Sequence, residues 1–398
     1  MGGEKCHGES NQSKFSSVII DIALDRESYD LWRNKIRFLM VDKNNVVNID
    51  ASIIKESISH GGECIRYYES AAQKLVSHFI LLSRDDKNKG SVSDLITALK
   101  WCVENNISLI SLSMGTTRHC DSDKFRSVIS RIKESDICLI AGTSNSRVLS
   151  YPACFDECIG VCYDYTRNLI DGSFAYIENP IDGVEIVLNP TATSLEPTGS
   201  TSMATAYFAG LVAKAISRDE TTPAGVKNWI AENSGVLRAE SIYDYTYKSV
   251  VHEVSDEVVI VVFEGILSNE KALSYRRALQ KLFLQDDYYC LSLYSHEKLV
   301  FDNDVYSLEF VRCNTDHTLS YDDYVDIMIK LCEPNLLFVD AESYSKTPDV
   351  VISKNVKTRI KDGVLYLNYK KHTPQEAFGR IVSNFASEGA SETEDKHE

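Results

Sequence analysis

Ser200-Thr201-Ser202-Met203-Ala204-Thr205-Ala206-Tyr207-Phe208-Ala209-Gly210 opens a run of small and apolar residues that continues to Ile216 with little charge. A helix of this composition has no polar face to offer water. The run therefore predicts a helix over 202–216, buried all round and threaded through a crowded core. The serine at its start stands where the positive end of the helix and its unpaired N–H groups can meet a developing oxyanion. Such a helix needs layers of structure around it, and the residues upstream supply them.

Val18 to Ile20 is a short apolar strand that ends on Asp21. A helical pattern begins near His60 and runs through Ala71, Leu75 and Val76 to the apolar run Phe79–Leu82. Leu95, Leu99 and Val103 recur at helical spacing, and Ile107 to Leu112 reads as a buried strand. A helix over Phe125–Lys133 leads to a strand over Ile137–Ala141. Strands alternating with helices predict an α/β fold, a parallel sheet with helices on both faces. Thr222 and Pro223 suit the N-cap and first turn of a further helix, Ala224–Glu232.

Acyl transfer from a peptide needs a nucleophile, a base to take its proton, and a group that holds the base in the right tautomer. Three short segments offer these in the order Asp, His, Ser. Val18-Ile19-Ile20-Asp21 puts a carboxylate at a strand end, half buried and able to reach an imidazole. Ser59-His60-Gly61-Gly62 sets glycines beside a histidine, leaving room for a substrate backbone. The third segment is the helix start at Ser202. Taken singly, each has a plain structural reading: a turn carboxylate, a surface histidine, an N-cap.

Together these segments resemble the three signatures of the subtilase family, over roughly Phe15 to Gly235. The strongest likeness is to the family's G-T-S-M-A-x-P-x-x-A-G run, matched at Thr201, Ser202, Met203, Ala204, Ala209 and Gly210. The resemblance implies a subtilisin-like sheet, with Ser202 as nucleophile, His60 as general base and Asp21 as its orienting partner. It also implies a substrate-binding strand at Ser113-Met114-Gly115, and Tyr151-Pro152-Ala153 resembles the Y-P-A after the oxyanion-hole loop. The chain departs from the family at Asp21-Ile22-Ala23, at Gly62, and at Ser200 and Ala206, which replace Gly and Pro. The family's A-G-N appears as Ala141-Gly142-Thr143-Ser144-Asn145. Counting back from Tyr151 favours Asn145 as the oxyanion donor, with Thr143 as the alternative.

A second α/β region follows, smaller and Rossmann-like. Val258–Phe263, Tyr288–Leu293 and Leu336–Val339 read as strands, with weaker candidates at Val350–Ile352 and Val364–Leu367. A helix is expected over Glu270–Phe283, and the capping box Thr373-Pro374-Gln375-Glu376 predicts a closing helix to Phe385. Gly265-Ile266-Leu267-Ser268-Asn269-Glu270-Lys271-Ala272 resembles a phosphate loop in decay. Glu270 would repel phosphate where glycine is needed, and Ala272 lacks the hydroxyl that holds Mg²⁺. Leu336–Asp340 resembles the strand-Asp partner of such loops. The expected organisation is a disordered N-terminus 1–14, a peptidase domain 15–235, a linker 236–254, an α/β domain 255–386 and a disordered acidic tail 387–398.

With 398 residues the chain is long enough for two domains, and 43% hydrophobic with 25% charged residues is ordinary for soluble folded proteins. A formal net charge of -16 excludes the usual route to nucleic-acid binding, in which Lys and Arg neutralise phosphates. Polar residues 1–14 lack the apolar core of a signal peptide, so a cytoplasmic protein away from membranes is expected. Eleven cysteines then remain free thiols. Cys154, Cys158 and Cys162 lack the paired spacing of zinc modules, and neither metal nor cofactor is expected.

The leading expectation is a serine endopeptidase of narrow specificity acting on a peptide or precursor peptide, for instance removing a leader from a ribosomally made, modified peptide. A peptide-binding pseudopeptidase and a subtilase-type ligase or macrocyclase are the alternatives. The second domain is expected to grip the substrate or to mediate a homodimer.

Overall fold

The computed structural model describes residues 15–54, 60–82, 90–118, 121–145, 150–165, 169–177, 180, 183–191, 200–237, 258–265, 270–286, 288–294, 309–311, 320–332 and 334–385. The expected tails at 1–14 and 387–398, most of the 236–254 linker and residues 266–269 of the phosphate-loop-like segment lie outside the described residues.

The first sheet is built from β1 (Ser17–Asp21), β2 (Arg37–Asp42), β3 (Asn45–Asn48), β4 (His78–Leu81), β5 (Leu109–Leu112), β6 (Cys138–Gly142), β7 (Cys158–Tyr163), β8 (Phe174–Ile177), β9 (Ile186–Leu188) and β10 (Gly235–Leu237). Their order is β10-β8-β9-β7-β6-β5-β1-β4-β2-β3. From β9 to β2 every pairing is parallel. The antiparallel pairs β2–β3 and β8–β9 sit toward the two edges. β1, β5 and β6 are buried along their whole length, as central strands covered on both faces must be.

The helices of this region are α1 (Arg26–Trp32), α2 (His60–Ala72), α3 (Val92–Glu104), α4 (Ser122–Glu134), α5 (Thr201–Ser217) and α6 (Val226–Asn233). Side chains of α2, α5 and α6 share one apolar cluster with one face of the sheet, and those of α3 and α4 share another with the opposite face. The stretch Pro223–Gly225 is a 3₁₀ turn capped by Thr222 rather than the first turn of an α-helix, which starts at Val226. Val236 and Leu237, expected in the linker, extend the first sheet by pairing with β8.

The second sheet comprises β11 (Val259–Phe263), β12 (Cys290–Tyr294), β13 (Glu309–Val311), β14 (Leu336–Asp340), β15 (Val350–Ser353), β16 (Arg359–Lys361) and β17 (Val364–Asn368), in the order β13-β12-β14-β11-β15-β17-β16. All its pairings are parallel except β16–β17. Its helices are α7 (Glu270–Gln285), α8 (Tyr321–Cys332) and α9 (Pro374–Phe385). The capping box forms as expected, with Thr373 N–H donating to Glu376 Oε2 at 2.8 Å and Glu376 N–H to Thr373 Oγ1 at 3.3 Å. Asp340, the strand-end carboxylate, is fully buried and bound to Arg276 at 3.1 Å, while Ala272 is packed in the core. Both groups thus serve packing of this sheet.

Candidate active site

The order of the first sheet changes direction beside β1. The chain first builds β2, β3 and β4 on one side, then crosses to build β5, β6 and β7 on the other. Loops leaving the carboxyl ends of β1 and β5 part at that crossing, which opens the crevice where α/β sheets bind ligands. Asp21 ends β1, Ser113 follows β5, and Thr143 to Asn145 follow β6. The N-termini of α2 and α5 bring His60 and Ser202 to the same rim.

Asp21 is 1% exposed and has its charge met by donors on both oxygens. His60 Nδ1 lies 2.8 Å from Oδ2 and 3.1 Å from Oδ1, and Ala23 N–H donates to Oδ1 at 3.0 Å. Because a carboxylate only accepts, Nδ1 carries the proton and Nε2 is the acceptor end of the neutral ring. The ring is about one third exposed, so a proton can reach it from the solvent side. Gly61 explains how the histidine comes so close to β1: its N–H donates to Ala23 O at 3.0 Å, and a β-carbon there would collide with that same carbonyl.

Ser202 is partly buried in the first turn of α5, whose N-cap Ser200 accepts from Met203 N–H. Its hydroxyl donates to the carbonyl of Ser113 at 3.3 Å. A turn about χ1 redirects that hydroxyl without moving the helix. Helices α2 and α5 are pressed together along their length, with Gly210 lying against the Tyr68 carbonyl and the Ala71 methyl.

One turn along α2 from His60 stands Cys64, fully buried, a residue that motif reading overlooks. Its thiol lies 3.4 Å from Ser113 Oγ and 3.9 Å from the Ser202 carbonyl, bridging the two segments. The spacing of four residues from His60 on a helix is the signal that could have found it. Burial, reinforced by the Asp21 charge, pushes the Cys64 thiol well up, so it stays protonated at neutral pH. Donor atoms of Asp21, His60 and Cys64 lie within 4.8 Å of one another. In this structure Asp21 is engaged by two N–H donors, from His60 and Ala23, and the cluster is held by hydrogen bonds.

Ser113, Met114 and Gly115 leave β5 and are only partly covered or exposed, and Thr116 then forms an antiparallel bridge with Tyr151. The two hydrogen bonds of that bridge, 2.9 and 2.8 Å, hold the segment extended. Of the two candidate oxyanion donors, Thr143 has committed its hydroxyl to the Val161 carbonyl at 3.1 Å. Asn145 stands exposed on the loop, and its Oδ1 accepts from Tyr165 Oη at 3.1 Å. Tyr165 Oη also lies 3.3 Å from Thr201 Oγ1, which ties Asn145 to the residue preceding Ser202. Tyr165 has no signal in local sequence, because its place depends on how β7 is aligned beside β6.

No family model matches the chain. In sequence it is similar to the minor extracellular protease Epr of Bacillus subtilis (strain 168), 26% identical over 142 residues, which are 34% of this chain and 22% of that protein. It is also similar to subtilisin DY of Bacillus licheniformis, 24% identical over 178 residues, 42% of this chain and 64% of that protein. The chain thus spans less than two thirds of the length of either relative. Among solved structures, a lanthipeptide protease aligns with a TM-score of 0.39 and 13% identity over 53% of this chain and 77% of that one. Among the described residues no helix is long and apolar enough to cross a membrane.

Proposed function

Since this chain is related in sequence to the subtilisins, we propose that it is a serine endopeptidase that hydrolyses peptide bonds through an acyl-enzyme at Ser202. The observation that carries this reading is the Asp21–His60 hydrogen bond, held at the carboxyl end of β1 against the helix that Ser202 opens. A peptide lies along Ser113–Gly115 as an added strand, its backbone pairing with theirs. Its scissile carbonyl then meets the Ser202 hydroxyl, turned away from the Ser113 carbonyl.

His60 Nε2 takes the hydroxyl proton as Oγ forms its bond to the carbonyl carbon, and Asp21 stabilises the imidazolium. Negative charge gathers on the former carbonyl oxygen, where Asn145 and the N–H groups at the start of α5 receive it. As the tetrahedral intermediate collapses, the C–N bond breaks and the imidazolium protonates the leaving amine. Water, deprotonated by the same imidazole, then attacks the acyl-enzyme and releases Ser202. No group in this sequence of steps requires a cofactor.

Narrow specificity, such as removal of a leader from a ribosomally made peptide in the cytoplasm, is the physiological role we favour. The net charge of -16 supports a neutral or basic substrate segment. The Ser202–Ser113 hydrogen bond gives one ground for the rival reading, a peptide-binding protein whose nucleophile stays locked. An alkyl fluorophosphonate probe separates the two. Covalent labelling that disappears in Ser202→Ala is expected, and folded wild-type protein that takes no label would defeat the peptidase reading.

A further inference from the structure

We infer that Tyr165 is a positioning residue: it grips the carbonyl end of the Asn145 side-chain amide and so keeps the NH₂ end directed at the oxyanion formed on Ser202. This rests on the peptidase reading and assigns a residue that the triad does not include.

An asparagine amide is nearly symmetrical in shape but opposite in polarity at its two ends. Turned one way it donates to a developing oxyanion, and turned the other way it presents its own partial negative charge. Asn145 is exposed on the loop after β6, so packing does not choose between the two states. Hydrogen bonding must do so.

The contacts that reach it form a chain back to α5 through Tyr165. Tyr163 N–H approaches Thr201 Oγ1 at 3.5 Å, Thr201 Oγ1 lies 3.3 Å from Tyr165 Oη, and Tyr165 Oη lies 3.1 Å from Asn145 Oδ1. A backbone N–H can only donate. The Thr201 oxygen therefore accepts at that end, and its own proton has two acceptors in reach, Tyr165 Oη at 3.3 Å and Cys162 Sγ at 3.9 Å, while the single Tyr165 proton points to Asn145. Only Oδ1 can receive it, and the NH₂ is left for the substrate. Polarity of the amide is thus set by the Tyr165 hydroxyl, whose oxygen faces the Thr201 hydroxyl.

The chain is also anchored mechanically. Thr201 is 2% exposed and immediately precedes Ser202 in α5. The Tyr165 ring stands edge-on to Tyr163, with centroids 5.1 Å apart and planes at 82°. The position of the amide therefore follows the helix that carries the nucleophile.

The test measures the inactivation rate constant (kinact) and the inhibitor affinity (KI) separately with an alkyl fluorophosphonate, whose phosphoryl oxygen occupies the oxyanion position. Tyr165→Phe keeps the ring and is expected to lower kinact about 3- to 10-fold, the range of one lost hydrogen bond, with KI unchanged. Asn145→Ala is expected to lower kinact by about 10²-fold or more. The double variant should react no more slowly than Asn145→Ala alone, since an effect carried through Asn145 vanishes when Asn145 is gone. Tyr165→His retains an N–H donor and is expected to recover part of the loss.

An undiminished kinact in folded Tyr165→Phe overturns the proposal while leaving the peptidase reading in place. So does a loss that persists undiminished in the Asn145→Ala background, which would place the effect in Thr201 or in packing. If wild-type protein fails to label at Ser202, the peptidase reading falls first and this inference with it.

Discussion

Asp21 shows how much a single buried charge decides. It is sealed from solvent, yet both oxygens have hydrogen-bond donors, which replace the water it gives up. Asp21→Asn preserves the shape but presents an NH₂ to the ring, which favours the tautomer with its proton on Nε2. That ring can no longer accept the Ser202 proton. A loss of labelling rate of about 10³ to 10⁴ is expected, with the melting temperature little changed. Labelling of D21N at the wild-type rate would remove Asp21 from the machinery. At this scale the placement of Asp21, His60 and Ser202 was readable in the sequence, because each stands at the start or end of an element whose apolar pattern is clear. Between Asn145 and Thr143 the count back from Tyr151 favoured Asn145, but the sequence does not show that the Thr143 hydroxyl is spent on the Val161 carbonyl of the neighbouring strand. Cys64 and Tyr165 went unread because their importance comes from what faces them.

The crossing of α2 and α5 is the element on which the site depends, because it sets how far His60 stands from Ser202. A β-carbon on Gly210 would meet the Tyr68 backbone carbonyl and come within 2.8 Å of the Ala71 methyl and 3.1 Å of the Ala72 nitrogen. Two of these are backbone atoms in a helix, so no change of rotamer relieves the contact. Gly210→Ala gains about 1 kcal/mol of helix propensity but incurs an overpacking cost of about 1–3 kcal/mol. The net effect expected is a lower melting temperature, together with a fall in labelling rate of about tenfold or more as the helix ends move apart. Gly379 in α9 is the matched control: its β-carbon would meet nothing within 4 Å, so Gly379→Ala is expected to stabilise slightly and leave labelling alone. If the two variants behaved alike, the close approach would not matter to the site.

Elements like α5 were legible because composition alone determines them, and the strands β1, β4, β5, β6, β11, β12 and β14 because each centres on an apolar run; β7, central and parallel, was not read. The hairpin β2–β3 escaped notice: β2 mixes exposed Arg37 and Asp42 with buried Phe38, Leu39 and Val41, and β3 is largely exposed. The short strands β8 and β9 were missed as well, being stabilised by pairing with each other and with β7 rather than by a pattern of their own.

Across the whole molecule the two sheets are joined through apolar packing. The largest apolar cluster takes Phe125, Ile132 and Phe155 from the first region and Tyr324, Met328 and Val339 from the second. The alternation of strands and helices foretold two α/β units, but not this sharing, which depends on α8 and on which faces meet. Stability of the candidate site is therefore expected to depend on the integrity of the second sheet. Arg276 offers a way to test this from a distance. Its guanidinium is fully buried and donates to Asp340 at 3.1 Å, Ser292 Oγ at 3.2 Å, and the carbonyls of Leu293 and Phe338 at 3.0 and 2.8 Å. It also lies 4.2 Å from the Tyr294 ring centroid. Arg276→Met leaves Asp340 buried without its countercharge, a change that typically costs about 3–5 kcal/mol. Adding Asp340→Leu removes the orphaned charge and should restore much of that loss. In calorimetry the wild type is expected to unfold in one transition, which R276M shifts downward as a whole. Fluorophosphonate labelling at Ser202 should be lost at that lower temperature too. Two separate transitions, with labelling surviving after the second sheet has melted, would show that the shared cluster does not couple them.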